Sequence, residues 1–213
     1  MRWMNLFKRA QHMIQPVRLS DQVFSGIPSF YPVPAGYCTT IEFAKRGDLD
    51  GFAEKSRGYM AGPEPMTGLW PNSVLWLIAE CLMRACVAMA YPPSALAKAR
   101  GDNWDSDDEE PIQERIPGQY DFVDRETPAP SRIVHHDIDA WNIFVFDVDQ
   151  MMGDPHDSHP VVKLADFGLM NDHRANPRGA GGKDGYHAPD AHAYSSASNV
   201  FQMAHVLYYL ITG

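Results

Sequence analysis

Ile133-Val-His-His-Asp-Ile-Asp-Ala-Trp-Asn-Ile-Phe-Val145, then Val161-Val-Lys-Leu-Ala-Asp-Phe-Gly168, then Gly185-Tyr-His-Ala-Pro-Asp190: these three stretches decide how the 213-residue chain is read. Ile143-Phe-Val145 and Val161-Val162 are short aromatic and β-branched runs of the kind that form strands. The polar residues gather at their ends. Asp137 and Asn142 lie five apart on one compact loop before the first run, and Asp166 follows the second.

Outward from this segment, Ser198 to Gly213 reads as a buried helix, on which His205 is expected to be a packed core residue. Pro71-Asn-Ser73 opens a long apolar helix reaching about Ala90. Glu80 and Arg84 interrupt its apolar run, so it is read as a core helix and not a membrane span. Gly47-Asp-Leu49 opens a shorter helix with Asp48 as N-cap. Val17-Arg-Leu19 and Gly36 to Phe43 read as two strands of a small sheet. Trp3, Leu6, Phe7, Ala10, Met13 and Ile14 recur at helical spacing, which predicts an opening helix with one face on the core. The basic first twenty residues match the composition of a transit peptide only superficially.

Residues 92 to 131 are rich in proline and contain Asp102-Asn-Trp-Asp-Ser-Asp-Asp-Glu-Glu110, so this stretch is expected to be a disordered acidic insertion. The whole chain carries 18 Lys+Arg against 27 Asp+Glu, a net charge of −9, which argues against nucleic-acid and anionic-membrane binding. Three cysteines are too few and wrongly placed for a disulfide framework or a four-ligand zinc site and suit a reducing compartment, so an intracellular protein, cytoplasmic or nuclear, is expected. Cys81 and Cys86, five apart on a helix, do not share a face and are read as core or boundary residues. His156 and His159 are read as surface turn residues and not as a metal pair.

The ordered set His-x-Asp-x-x-x-x-Asn, Asp-Phe-Gly and Ala-Pro-Asp resembles the eukaryotic protein kinases, in a divergent, fungal-type form. The resemblance implies an α+β fold with a partial small β lobe and a mainly helical large lobe. It also implies ATP and Mg2+ as cofactors and transfer of phosphate to a Ser/Thr hydroxyl of a protein. Phosphoryl transfer is mostly positioning and charge neutralisation, and it needs a carboxylate near the hydroxyl and oxygen ligands for magnesium. By resemblance Asp137 orients the hydroxyl, while Asn142 and Asp166 hold magnesium. The bland alternative for Asp137 and Asp166 is a pair of turn-capping carboxylates. Thr40 to Leu49 resembles the hinge between lobes, where the Glu42 carbonyl and the Ala44 N–H would bond adenine. Ile41 would gate the back pocket, Asp48 would face the ribose and Phe144 would lie beneath the adenine.

Several departures qualify the resemblance. The chain has no Gly-x-Gly-x-x-Gly loop and no Val-Ala-Ile-Lys-like strand. It is therefore expected to be an interior piece of a kinase domain, with residues 1–43 a remnant of the small lobe and 44–213 the hinge and large lobe. Little turnover is expected of it, and a pseudokinase that binds or scaffolds without catalysis is the alternative. His136 stands where many kinases have an arginine, and Asn199 stands in place of a buried aspartate. Asp139 occupies the site of a lysine and Lys183 that of its threonine neighbour, which suggests a transposed ion pair supplying positive charge near the transferred phosphate. The partner expected is a protein substrate or regulatory protein, and the chain is expected to be monomeric.

Overall fold

Helix α3 (Asn72–Ala90) organises the core. Its buried residues Ile78, Cys81, Leu82, Ala85, Cys86 and Met89 recur every three or four positions, one stripe of a 3.6-residue helix. That stripe packs on α5 (Ser196–Thr212) and on strands β1 (Ile133–Val134) and β3 (Pro160–Leu164). By length and composition α3 is apolar enough to cross a bilayer. Its buried face is nevertheless covered by protein, as in a core helix. The computed structural model describes residues 2–17, 41–60, 70–101, 112, 114–118, 128–148, 156, 159–174 and 194–213.

The architecture among the described residues is mixed α+β, with five helices and two small antiparallel sheets. Strand β1 pairs with β4 (Asn171–Asp172), joining Ile133 to Asp172. Strand β2 (Ile143–Val148) pairs with β3, with Ile143 opposite Leu164 and an irregularity between Val145 and Val148. The inward residues Ile143, Val145, Val162 and Leu164 are all buried, as the short apolar runs predict. Helix α2 (Leu49–Met60) starts where expected: the Asp48 carboxylate accepts the Gly51 N–H at 2.7 Å. Helix α5 opens with a reciprocal capping box between Ser195 and Ser198.

Two expectations are corrected. The opening helix α1 covers only Arg2–Leu6. Phe7, Ala10, Met13 and Ile14 are buried as the spacing predicts, but they lie in turns and extended chain. The cause is competition for backbone partners. The Ile14 N–H donates to Leu164 and the Leu164 N–H donates to His12, both at 2.9 Å, which draws the chain alongside β3. Arg9 takes up a left-handed conformation, φ 72°, to make the turn. The Gln15 amide then replaces the missing helical bonds. Its Nε2 donates to the carbonyls of Phe7, Ala10 and Met13 at 3.2, 2.8 and 2.8 Å, and its Oε1 accepts the Arg9 N–H at 2.8 Å.

The second correction concerns residues 92–131, part of which is ordered. Pro93–Arg100 forms helix α4, with proline in its first turn and Gly101 in the left-handed conformation at its end. Proline at a helix start loses no hydrogen bond, so here it initiates structure. Glu114 is buried, and Ile112 pairs with Ala10. The acidic block 102–110 lies outside the described residues. Of the two expected early strands, Pro16 pairs antiparallel with Ile41 and the Glu42 N–H donates to Gln15 at 3.1 Å. Residues 18–40 lie outside the described set.

Gln15→Ala removes one hydrogen bond from each of three carbonyls, of which that of Phe7 keeps the Ala10 N–H at 3.0 Å. Each unsatisfied buried polar group costs about 1–3 kcal/mol, reduced where water can reach it. A fall in Tm of roughly 4–10 °C is expected at the 2–4 °C per kcal/mol typical of this chain size. Calorimetry showing no fall would refute the role assigned to Gln15.

Candidate functional site

The site stands where the two strand pairs bring two loops together. Residues 135–142 leave β1 and enter β2, while residues 165–170 leave β3 and enter β4. The loops are bonded to each other directly. The Ala165 N–H donates to the Asn142 carbonyl at 2.9 Å, and His135 Nε2 lies 2.9 Å from the Ala165 carbonyl. Asp166, the next residue, is thereby held beside Asn142. Asn142 Nδ2 donates to the Asp137 carbonyl and to Asp137 Oδ2 at 3.0 and 2.9 Å. Asp137 and Asn142 are thus bonded to each other and half-buried, and Asp166, exposed, follows the residue bonded to the Asn142 carbonyl.

Of the two carboxylates named in the turn-capping alternative, Asp166 caps a turn, whereas Asp137 accepts from the Asn142 side chain. Asp166 adopts φ 56°, ψ 74° and accepts the Gly168 N–H at 3.1 Å, which shapes the turn Phe167–Leu169. A Cβ on Gly168 would lie 3.0 Å from Asp166 Oδ1, so a larger residue there would press on the carboxylate. Asp139 is nearly buried and caps the turn Ala140–Asn142 by accepting the Trp141 N–H at 3.2 Å. This gives a local reason for an acid at that position. Lys183 and the Ala-Pro-Asp triplet lie outside the described residues, and so does the transposed ion pair.

A buried column supports the first loop. Asn199, fully buried on α5, accepts the His135 N–H through Oδ1 at 2.9 Å and donates through Nδ2 to the Ile133 carbonyl at 2.8 Å. Gln202, one turn on, accepts the Ile138 N–H at 3.5 Å. The His135 ring packs edge-on to Phe167, which packs on Phe7, with centroid distances of 5.9 and 5.7 Å. His135 donates through Nε2 to Ala165, and its Nδ1 faces the Asp137 N–H at 3.3 Å. Both nitrogens are therefore used in the neutral tautomer, and burial pushes the His135 pKa down to about 4.

The residues read as a hinge lie along one edge of this arrangement. The Val145 N–H donates to the Gly47 carbonyl at 2.9 Å, and Asp48 pairs antiparallel with Phe144, so Asp48 and Phe144 are neighbours. Phe144 and Ala44 are half-buried and Ile41 is partly exposed. Glu42 directs its carboxylate inward, accepting the Gln15 N–H at 2.8 Å and the Lys163 ammonium at 2.7 Å. That commits its side chain, and its N–H is already bonded to Gln15. On the far side of the loop, His136 (φ 70°) places Nε2 2.8 Å from His173 Nε2, and both rings pack on Tyr194.

A second polar cluster was not legible in the sequence. His156, expected on a surface turn, is buried with Nε2 3.0 Å from His12 Nε2 and 3.9 Å from Cys81 Sγ. His12 is bonded in turn to Glu114. These residues come from four separated segments, so no spacing motif announces them. His159, in contrast, is exposed as expected.

Two predictions follow from the column. His135 titrates near 6.5 when unfolded and near 4 when folded, so the unfolded chain binds the extra proton. Stability is complete above about pH 6.5 and falls as pH drops toward 4, by an amount on the order of 3 kcal/mol. Chemical denaturation across this range measures it, and an equal slope in His135→Gln would sink the assignment. Asn199→Asp removes the donor to Ile133 and sets a carboxylate against a carbonyl, at a cost of about 1–3 kcal/mol. A variant as stable as the parent would disprove the two-way role of the amide. Comparison with known protein families finds no matching family model, and comparison with curated proteins finds no match.

Proposed function

We propose that this site is the phosphoryl-transfer centre of a protein kinase-like α+β domain that uses ATP and Mg2+ to phosphorylate Ser/Thr hydroxyls of a protein. The observation that carries the proposal is the joining of the two loops, Ala165 N–H to the Asn142 carbonyl and His135 to the Ala165 carbonyl. Asp137, Asn142 and Asp166 would supply hard oxygen donors from these two joined loops, and such a donor set suits magnesium. Asn142 Oδ1 and the exposed Asp166 carboxylate would hold the ion. Its Nδ2 is already spent on Asp137, which fixes which end of the Asn142 amide is offered. When bound, magnesium offsets the charge of the nucleotide phosphates. Asp137 accepts the proton of, or orients, the substrate hydroxyl. Adenine would lie on Phe144, bonded by the main chain of Glu42 and Ala44, with Ile41 and Asp48 at its borders. Lys183 would bring positive charge to the phosphates. The partner is a protein substrate or regulator, with the chain acting as an intracellular monomer.

A second reading, a module that binds nucleotide without turnover, is favoured by the lack of a glycine-rich phosphate loop and an ATP-binding lysine strand in residues 1–213.

ATP with Mg2+ at about 100 times Kd should add about 2.7 kcal/mol of stability, a Tm rise of roughly 5–10 °C. Asp166→Asn should abolish the magnesium-dependent part. Asp137→Asn should keep the rise while lowering any transfer to protein about 100-fold or more. A rise without transfer selects the binding module. The same melting curve with Mg2+ and with chelator rules out both readings.

A further inference from the structure

We propose that His12, Cys81 and His156 form a divalent-metal site, with zinc as the fitting ion and Glu114 as the carboxylate that orients His12. One ligand atom from each of the three residues lies within 4.8 Å of the other two. Two of the three separations are resolved: 3.0 Å between the nitrogens and 3.9 Å from the sulfur to His156. With Zn–N near 2.0–2.1 Å and Zn–S near 2.3 Å, tetrahedral coordination places nitrogens about 3.3 Å apart and nitrogen and sulfur about 3.6 Å apart. The two resolved separations need to change by only a few tenths of an ångström.

The hydrogen bonds define the donor direction. An ionised carboxylate only accepts, so Glu114 Oε2, 2.8 Å from His12 Nδ1, fixes the His12 proton on Nδ1. The Nε2 lone pair of His12 then points at His156 Nε2. Glu114 Oε1 also accepts the His12 backbone N–H at 2.7 Å, so ring and main chain are held by one side chain. A carboxylate behind a ligating imidazole is the usual second partner in zinc sites, where it sets the tautomer and raises ligand basicity.

Charge completes the argument. The Glu114 and His12 side chains are fully buried, and Cys81 is 0% exposed. A buried carboxylate and a thiolate together carry two negative charges, and a divalent cation balances them within the cluster. Binding replaces the Cys81 S–H bond with a sulfur–metal bond and releases that proton to solvent. Imidazole and thiolate favour zinc over magnesium or calcium, so this site is chemically distinct from the oxygen-lined face around Asp166. His156 Nδ1 has no partner among the described residues. In the metal-free chain the neutral ring carries its proton on Nε2, toward His12, and coordination through Nε2 would shift that proton to Nδ1.

The site would tie together three segments distant in sequence: the turn after α1, the middle of α3 and the approach to β3. His12 also accepts the Leu164 N–H, two residues before Asp166, so the ion would brace the strand that carries that carboxylate.

The full chain, purified and stripped with chelator, is titrated with Co2+ and then Zn2+. One equivalent of Co2+ should give an intense thiolate-to-cobalt charge-transfer band and tetrahedral d–d absorption, both displaced by Zn2+. Cys81→Ser should lose the charge-transfer band, whereas Cys86→Ser should retain it. Glu114→Gln should weaken Zn2+ binding about 10- to 100-fold without moving the band. Should Cys81→Ser fail to fold, the wild-type titration still decides. A folded wild-type chain with no thiolate band, or a band that survives in Cys81→Ser, overturns the proposal and leaves a hydrogen-bonded cluster in which a proton takes the place of the ion.

Discussion

One buried amide holds the candidate site in place. Asn199 reaches from α5 to the two ends of the chain turn at 133–135, accepting from one backbone group and donating to the other. Without it, a buried N–H and a buried carbonyl would both lack partners, a cost comparable to a large share of a domain's net stability. Its two bonds set the height at which His135 enters the core. His135 then determines where Phe167 packs and where the Ala165 carbonyl lies, and so where Asp166 emerges. Aspartate at this position could accept but not donate. The amide therefore makes a bond that the carboxylate expected by resemblance cannot make.

Local chemistry was the legible part of the sequence. The capped start of α2 at Asp48, the apolar stripe of α3, the strands after Asn142 and before Asp166, and the run of α5 are all written within a few adjacent residues. Each is decided by forces that act over one or two turns. The core positions Phe7, Ala10, Met13 and Ile14 were legible too, but their conformation was not. Apolar spacing reports which residues are inside. It does not report whether Leu164 will compete for the backbone of Ile14.

What escaped the sequence was the work of single residues recruited from a distance. Gln15 had no periodic or motif signal, yet its side chain supplies bonds that a longer α1 would have made for itself. Pro93 falls in a proline-rich stretch whose composition predicts disorder, and only its place in the first turn of α4 makes it a helix starter. His12, Cys81, Glu114 and His156 are separated by 69, 33 and 42 positions, and their meeting follows only once α3 and β3 are packed. A polar cluster assembled by tertiary structure leaves no spacing to find. The motif loops were found because their functional groups lie five residues apart on one segment, and their mutual placement still required the folded chain.

The left-handed residues His136 and Asp166 bear on how the molecule comes apart. Each keeps a conformation that costs roughly 1–2 kcal/mol for a residue with a side chain, sustained by its surroundings and not by its own preference. Those surroundings are the His173 and Tyr194 rings at His136 and the Gly168 N–H at Asp166. In amide exchange, the protons around 136 and 166 to 168 would be traded with solvent through small, local openings. Those along α3 would wait for the whole domain to unfold. The segment that gathers the carboxylates thus keeps its shape through its neighbours and not through the preferences of its own backbone.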